Sequence, residues 1–404
     1  MRKSLFATLF AAAVLLSACR SGSTADKSLQ ITAADVIHLD GTFDDNFLES
    51  WEYILLDESN PDACMPSVDA IFFDDDLFFL MSGKYNNTHS QIKVFDRNGK
   101  YLNDIGHMGR ARNEYINICD WAINTHSNEI IVFDNHAWVL KRYDYKGEYL
   151  GQSPVPATDA DSGFIGIDLV KSVSSGALMS QGFLCIIPSY DYYYIDSDGT
   201  RHSPLALSDY KAYCEMDPYE YMKLTGDIGG SGMTYCLSDQ LSDTTYLLRF
   251  FDNHIYKVTP DTAQCLANMT FIPEIPRKVK YNFDHEAEEE YYGRSIPNYY
   301  YDMQKYLYIW YYHDNEYLYD KTTSKMYHMN HDSLHLSLPD VGPMTICGNT
   351  IIGCADDRSI EHALRRMDRP DYDHRYSPEL EAFYRKVRHC ESSPIIIAHY
   401  KSTE

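Results

Sequence analysis

A hairpin-like segment recurs along the chain at a nearly constant spacing. Residues 92–102 (IKVFDRNGKYL) and residues 140–150 (LKRYDYKGEYL) share Asp, Gly, Tyr and Leu in register, and the second copy starts 48 residues after the first, at Leu140 instead of Ile92. Each copy predicts a strand, a turn with Asp at its first position and Gly where a positive φ is needed, and a second strand. The spacing therefore predicts a series of antiparallel hairpins.

Weaker copies of the pattern continue through the chain. Their turn positions are Asp196, Thr259 and Asp320, which with Asp96 and Asp144 step by roughly 50 to 60 residues. Another pair of apolar segments precedes each of the first two hairpins, at 70–73 and 77–80 and at 121–123 and 130–133. Four short strands per repeat are typical of β-propeller blades, in which each sheet buries its faces only against its neighbours. A β-sandwich with chance similarity is the alternative.

We therefore predict an all-β chain that forms a six-bladed β-propeller of four-stranded antiparallel blades. The first five blades are expected at 67–105, 115–152, 163–205, 230–272 and 300–330. The sixth is expected to combine both ends of the chain, with 51–56 (WEYILL) beside 394–400 (PIIIAHY), because ring closure must hide the sheet edges. A small helical insertion is predicted at about 357–392, where Leu380, Phe383, Tyr384 and Val387 share one helix face.

The first repeat and the C-terminal tail carry a family resemblance. Residues 67–80 (SVDAIFFDDDLFFL), 94–102 (VFDRNGKYL) and 393–397 (SPIII) resemble the six-bladed β-propeller lipoproteins of gut Bacteroidetes, relatives of the NHL-repeat propellers. The resemblance covers the chain from about Glu49 to Lys401 and implies the fold, without a particular activity. The glycine-rich link of that family, G-x-x-G-x-G-P-G-E-Y, is here GHMGRARNEY (106–115), with three small or stiff positions replaced.

The N-terminus has the layout of an export signal. Arg2 and Lys3 precede an apolar run from Leu5 to Leu16. About twelve apolar residues at ~1.5 Å each make roughly 18 Å of helix, which is short of the ~30 Å core of a bilayer, so we expect no spanning anchor here.

The segment that ends this run, LSAC (16–19), resembles the lipobox of bacterial lipoproteins. The resemblance implies that the signal peptide, residues 1–18, is removed and that Cys19 is lipidated, so that the protein binds a membrane through its N-terminal lipid. An ordinary signal that is cut after Ala18 is the alternative. Each buried methylene of an acyl chain adds ~0.8 kcal/mol of membrane affinity.

Residues 19–45 are predicted to form the lipidated tether and the segment that leads into the propeller, and residues 46–404 to form the propeller. The stretch from Arg20 to Lys27 is small and polar, as a flexible linker requires. Bacteroidetes lipoproteins on the cell surface often carry acidic residues after the cysteine, and here Arg20 to Ser23 stand instead. We therefore predict an outer-membrane lipoprotein of the cell envelope that faces the periplasm, with surface exposure as the alternative.

Charge and cysteine content limit the function classes. The chain has 35 Lys and Arg against 59 Asp and Glu, a net charge of −24, and such a surface repels nucleic acid unless a basic stripe is present. Ten cysteines include Cys19, and the odd number that remains cannot all pair within one chain. Since no C-x-x-C occurs and several cysteines lie in apolar runs, we expect most to be small buried residues.

Two clusters have the composition of metal ligands. His328, His331 and His335 have a suitable spacing, but on a strand these positions would alternate between faces and could not converge on one ion. Asp74, Asp75 and Asp76 could attract calcium, but they lie at an expected hairpin tip, where Asp favours the turn itself. We predict no cofactor and no metal site, and calcium at Asp74–Asp76 is the alternative.

Tyrosine is the one compositional excess, with 35 residues. They are dense at 291–292, 299–301 and 306–312. Tyr and Trp stack on sugars and peptides through flat apolar faces with polar edges, and they also favour strands. Some of these rings are therefore expected either in the core or in a ligand-facing aromatic cluster.

Three functional hypotheses follow from the sequence. The first is a membrane-anchored binding or scaffold module for a glycan, a peptide or an envelope protein, with no nucleic-acid partner. The second is a calcium-dependent enzyme of the lactonase or lyase type, and the third is a purely structural envelope component. No catalytic residues are predicted, because propeller sites gather side chains from loops that are distant in sequence, and the oligomeric state stays open.

Overall fold

The structure is a computed structural model of the chain. It describes residues 28–65, 67–83, 90–155, 165–173, 176–183, 191–196, 200–205, 235–248, 253–273, 297–311, 315–330, 338–355, 357–372 and 376–402. The predicted signal peptide and Cys19 lie outside these residues. None of the helices in the described part of the chain has the length and apolar composition that crossing a bilayer requires.

The N-terminal segment contributes strands β1 (Leu29–Ile31), β2 (Val36–Asp40) and β3 (Leu48–Ile54), with the short helix α1 (Phe43–Phe47) between β2 and β3. The next strands follow in groups of four: β4 (Ala70–Asp74), β5 (Leu77–Ser82), β6 (Gln91–Asp96), β7 (Tyr101–Asp104), β8 (Asp120–Asn124), β9 (Glu129–Asp134), β10 (Val139–Asp144), β11 (Tyr149–Pro154), β12 (Ile165–Val173), β13 (Gly176–Phe183), β14 (Asp191–Asp196) and β15 (Arg201–Leu205).

The later elements are equally short. They are β16 (Tyr235–Ser238), β17 (Thr245–Leu248), β18 (His254–Val258), β19 (Ala263–Met269), β20 (Pro297–Asp302), β21 (Tyr306–Tyr311), β22 (Asn315–Asp320), β23 (Met326–Asn330), β24 (Val341–Cys347), β25 (Thr350–Ala355), the helices α2 (Asp357–Met367) and α3 (Pro378–Val387), and β26 (Ile395–Tyr400).

The described strands form six small sheets in a propeller arrangement. Four of them are four-stranded and antiparallel throughout: β4–β7, β8–β11, β12–β15, and a closing sheet of β24, β25, β26 and β3. A fifth sheet has β17, β18 and β19 with β1 added in parallel at its edge. The sixth has six strands, β20 to β23 with β2 and β16 added in parallel at its two edges.

The expectation of six four-stranded antiparallel blades is therefore correct for four sheets and wrong for the other two. The physical reason is long-range pairing. Strand β16 lies in the sequence just before β17 but pairs with β20, and the N-terminal strands β1 and β2 cover the outer edges of two sheets. Edge coverage of this kind satisfies backbone groups that would otherwise face solvent or a second chain.

Hydrophobic clusters join most of the neighbouring sheets. Phe78 of β5 and Ile352 of β25 share one cluster, and Phe79 of β5 and Trp121 of β8 share another. Further clusters join β17–β19 to β20–β23 and join β20–β23 to the closing sheet. Tyr194 of β14 lies in the same cluster as Leu247 of β17, and β12 lies beside β8, so each of the six sheets has a neighbour on both sides. Burial of each large apolar side chain contributes about 1.5–3 kcal/mol.

The predicted pairing of the two chain ends is confirmed. Strand β26 pairs with β3, with Ile397 opposite Glu52 and Ala398 opposite Trp51. The predicted helical insertion is also confirmed as α2 and α3. Phe383 of α3 packs edge-on against Trp51 and Tyr53 of β3, with ring centroids 5.6 and 5.0 Å apart. The helices thus bury the outer part of the closing sheet.

The repeated turns have the predicted geometry. The Asp96 carboxylate accepts hydrogen bonds from the backbone N–H of Asn98 (2.8 Å) and Lys100 (3.0 Å), and Asp144 accepts from Lys146 and Glu148 in the same way. Gly99 and Gly147 have φ values of 79° and 85°, which a residue with a Cβ adopts only at a cost.

Candidate functional site

One end of the β4–β7 and β8–β11 sheets carries a groove of about 450 Å³. In an antiparallel four-stranded unit, the start of β6 and the β7–β8 link lie at the same end. The groove lies between these two segments. Its lining comes from Ser90 and Gln91 at the start of β6, Asp104 at the end of β7, and Gly106, His107, Met108 and Tyr115 in the link.

The link holds its shape through backbone contacts. The N–H of Tyr115 donates to the carbonyl of His107 (3.1 Å), and the N–H of Gly109 donates to the carbonyl of Tyr115 (2.9 Å). Gly106 has a φ of 58°, and a Cβ there would lie 2.8 Å from the Tyr143 ring. This wall of the groove is therefore a compact loop that rests on the neighbouring sheet.

The β7–β8 link retains the Gly109 and Glu114 of the family pattern, and these two residues are in close contact. Glu114 accepts a hydrogen bond from the N–H of Ala111 (2.8 Å), and a Cβ on Gly109 would lie 1.9 Å from its carboxylate. The three positions that depart from the family pattern are Ala111, Arg112 and Asn113. The backbone carbonyls of Arg112 and Asn113 accept hydrogen bonds from Lys141 and from the Tyr143 hydroxyl. Backbone carbonyls accept these hydrogen bonds, and a residue of any type supplies a carbonyl. The contacts therefore do not require the proline and glycine of the family pattern.

Polar groups of the groove differ in how firmly they are held. Asp104 accepts hydrogen bonds from the Lys93 ammonium (3.2 Å) and the Tyr101 hydroxyl (3.1 Å). Burial, together with Asp104, raises the pKa of Tyr101 to about 12, and burial raises the pKa of Tyr115 above its usual range. Both phenols are therefore neutral at physiological pH. His107 is exposed and Gln91 is half-buried, so these two side chains can reach a ligand.

The tyrosine-rich strands β20 and β21 contribute mainly to the core. Tyr300, Tyr306 and Tyr311 are buried. Tyr299 stacks on Tyr301 (5.0 Å between ring centroids) and on Trp310 (4.8 Å). The flat faces that a sugar would need are partly taken by neighbouring rings. Tyr291 and Tyr292 lie outside the described residues.

A buried carboxylate pair lies beside this stack, at helix α1. Asp44 accepts a hydrogen bond from the Tyr400 hydroxyl (2.7 Å), and Glu316 accepts one from the N–H of Phe43 (3.1 Å). Burial, with a smaller contribution from Glu316, raises the pKa of Asp44 to about 6. Neither carboxylate was identified from the sequence, because Asp44 and Glu316 are 272 positions apart and no motif links them.

The structure describes one of the two metal-like clusters of the sequence in full and a single member of the other. Asp75 and Asp76 have φ values of 49° and 62° and connect β4 directly to β5, so they form the predicted tight turn. His328 lies on β23, whereas His331 and His335 lie outside the described residues. In the described part of the chain, no group of three or more His, Cys, Asp or Glu side chains could hold a metal ion.

No disulfide joins the cysteines whose side chains the structure describes. Cys354 is buried, Cys119, Cys265, Cys347 and Cys390 are partly buried, and Cys64 is exposed. Burial raises the pKa values of Cys347 and Cys354. These two thiols are therefore poor nucleophiles.

Comparisons with known proteins address the fold. Residues 36–385 match the model of a family described as a domain of unknown function, DUF4934. No curated protein matches the chain. A Bacteroides fragilis protein described as exported is similar, with a TM-score of 0.59 and 15% identity over 93% of this chain and 99% of that chain. A DUF4221 family member from Bacteroides vulgatus has a TM-score of 0.52 and 9% identity over 88% of this chain and 97% of that chain.

Proposed function

The chain belongs to the DUF4934 family, and from this premise we propose that it is a lipid-anchored propeller protein of the bacterial envelope that binds a glycan or a peptide segment. The observation that carries the proposal is the groove of about 450 Å³ beside the β7–β8 link. Small-molecule sites have volumes of about 300–1,000 Å³. The groove is therefore large enough for one or two sugar units or a short peptide stretch.

The chemistry of the lining supports a polar, uncharged ligand. His107 and Gln91 offer donors and acceptors that hydroxyl and amide groups can use. Asp104 adds a carboxylate acceptor, while Met108 supplies a soft apolar contact. Such a mixture of a few convergent polar groups with apolar surface is typical of sites that orient a ligand through hydrogen bonds.

We also propose that the ring has six blades. Strand β16 would be the inner strand of the blade that contains β17, β18 and β19, displaced onto β20. The displacement is supported by β1 and β2, which add in parallel to β19 and to β23 in the same way. With β1 and β2 set aside, each of the six sheets then has four strands. The likeness to NHL-repeat propellers stays a prediction from the sequence.

The proposed anchor is the lipid on Cys19. Supporting this, the first described strand, β1, lies at the outer edge of its sheet, so the tether can leave the ring without crossing the core. The Bacteroides fragilis relative is itself described as exported. Labelling with a radioactive fatty acid in a Bacteroides host tests the anchor. The intact chain should incorporate label into the membrane fraction and Cys19→Ser should not, and labelled Cys19→Ser would contradict the anchor.

The binding proposal is tested by a glycan and peptide array probed with detergent-solubilised protein. A ligand that the array identifies should bind at least about tenfold more weakly to His107→Ala and to Gln91→Ala, because each loses a hydrogen bond worth about 1.4 kcal/mol. The matched control is His126→Ala, an exposed histidine in the β8–β9 turn at the opposite end of the sheets.

Two results would contradict the groove assignment. One is equal binding by His107→Ala, Gln91→Ala and the unchanged protein, and the other is equal weakening by His126→Ala. An array without any bound glycan or peptide would contradict the binding function itself. The lactonase-like and purely structural hypotheses remain predictions from the sequence.

A further inference from the structure

Two histidines from opposite ends of the chain face each other on neighbouring strands. His38 of β2 lies directly opposite His328 of β23 in a parallel pair that runs from Val36 beside Met326 to Asp40 beside Asn330. The two Nδ1 atoms are 3.2 Å apart. The imidazole rings meet edge to face, with centroids 5.2 Å apart and planes at 76°.

From this geometry we infer that His38 and His328 form a binding site for a divalent transition-metal ion. A tetrahedral ion with metal–nitrogen bonds of about 2.0–2.1 Å holds two ligand nitrogens roughly 3.3–3.4 Å apart. The observed separation of 3.2 Å is close to that value. The two Nδ1 atoms are within hydrogen-bond distance of each other, and an ion takes the place of the shared proton when each ring carries its own proton on Nε2.

The ligand type selects the ion. Imidazole nitrogen suits Zn²⁺, Cu²⁺ and Ni²⁺, whereas Ca²⁺ and Mg²⁺ prefer oxygen ligands. Among the described residues, no third His, Cys, Asp or Glu joins the pair. Two imidazole ligands make a site of moderate affinity.

The surroundings favour a fixed ring orientation at one ligand and access at the other. The Tyr317 ring packs against His328 with centroids 4.8 Å apart, which limits the rotation of that imidazole. His38 is exposed, so an ion can reach the pair from solvent. Asp40, two residues after His38, points to the same side of β2 and adds negative potential that attracts a cation.

A bound ion would join β2 to β23 in addition to the five residue pairs of their parallel ladder. Strand β2 belongs to the segment that leads from the tether, while β23 is part of a sheet in the ring. The ion therefore acts as a clasp that holds the N-terminal segment on the outer edge of the β20–β23 sheet. The site is far in sequence from the groove residues, and its test is independent of ligand binding there.

Isothermal titration of the full-length protein with ZnCl₂ and NiCl₂ at pH 7.5 tests the site. We expect one equivalent of Zn²⁺ to bind, and His38→Ala and His328→Ala each to weaken that binding by at least about tenfold, because a single imidazole remains. His126→Ala and His107→Ala are matched controls with exposed histidines elsewhere, and they should bind as the unchanged protein does. CaCl₂ should give no heat that depends on His38.

Hydrogen exchange distinguishes an ion that stabilises the pairing of β2 with β23 from an ion that binds without stabilising it. Zn²⁺ should slow amide exchange in residues 36–40 of the unchanged protein and leave it unaltered in His38→Ala. Because His38 is exposed, this variant should fold even if His328→Ala, which loses the contact with Tyr317, does not. The inference is overturned by Zn²⁺ binding that both variants retain, by an absence of stoichiometric binding, or by exchange at 36–40 that Zn²⁺ leaves unchanged.

Discussion

The β4–β7 and β8–β11 sheets repeat one another closely, whereas the sheets that receive the N-terminal segment do not. Lys93 and Lys141 lie three residues before the turn residues Asp96 and Asp144, and both are buried. Lys93 donates to the carbonyl of Asp62 (2.6 Å), and Lys141 donates to the carbonyls of Arg112 (3.3 Å) and Glu114. Each lysine thus ties its sheet to the segment that enters it.

The turn glycines repeat a second contact. A Cβ on Gly99 would lie 2.2 Å from the carbonyl oxygen of Leu55, just after the outer strand β3, and one on Gly147 would lie 2.4 Å from that of Asp104 at the end of the outer strand β7. Both turns therefore rest on the outer strand of the preceding sheet. The closing sheet, although it is assembled from both chain ends, takes the same place in the series as an ordinary sheet.

The β20–β23 sheet has an Asp turn that is one residue longer and has different supports. Asp320 accepts from the N–H of Thr322 (2.8 Å) and Thr323 (3.0 Å), but Ser324 takes the positive φ, at 58°. Tyr317 stands three residues before Asp320, at the position of Lys93 and Lys141, and packs on His328. The hairpin itself therefore depends on local sequence. The contacts of the residue three positions before the turn depend on which neighbouring segment packs against the sheet.

The largest expected effect is on the regular sheets. Gly99→Ala and Gly147→Ala should each lower the free energy of unfolding by about 3 kcal/mol, because a Cβ would strain a positive φ and overlap a backbone carbonyl that cannot move aside. Urea unfolding followed by tryptophan fluorescence measures the change. Gly342→Ala is the control, since the nearest atom to a Cβ there, the carbonyl oxygen of Cys354, would be 3.8 Å away, and a loss as large as that of Gly99→Ala would undermine the comparison.

A smaller effect is expected for the lysine supports. Lys141→Met should lower the free energy of unfolding by about 2 kcal/mol, because the carbonyls of Arg112 and Glu114 lose their donor. Lys146→Met, an exposed lysine of the same hairpin, should change stability little. Equal urea midpoints for Lys141→Met and the unchanged protein would show that this buried lysine does not hold the link.

The smallest effect belongs to the N-terminal segment and depends on pH. Because the pKa of Asp44 is raised to about 6 from an ordinary 3.8, the folded state binds more protons than the unfolded state between these values, and stability falls as pH rises through this window. Between pH 5 and pH 7, the unchanged protein should lose about 1 kcal/mol more than Asp44→Asn. Glu49→Gln, which replaces an exposed carboxylate, should follow the unchanged protein, and parallel curves for all three proteins would contradict the assignment.

The candidate site could be predicted only in part. The sequence pointed to the link from Gly106 to Tyr115, because its glycines and its Glu-Tyr ending stand out. It did not point to Ser90, Gln91 and Asp104, which ordinary strand positions supply. It noted the spacing of His328, His331 and His335 and predicted no common site for them, and it did not point to His38, which lies opposite His328. A partner 290 residues away leaves no local signal.

The repeated hairpins, their turn residues and the pairing of the two chain ends could be predicted from the amino-acid sequence. These features depend on short-range alternation and turn geometry, or on the one edge that a closed ring must cover. Only the tertiary structure decided that β16 joins β20 and that β1 and β2 complete the outer edges of two sheets. Any strand can pair with any exposed edge through identical backbone groups, so the choice rests on where the rest of the ring leaves an edge open.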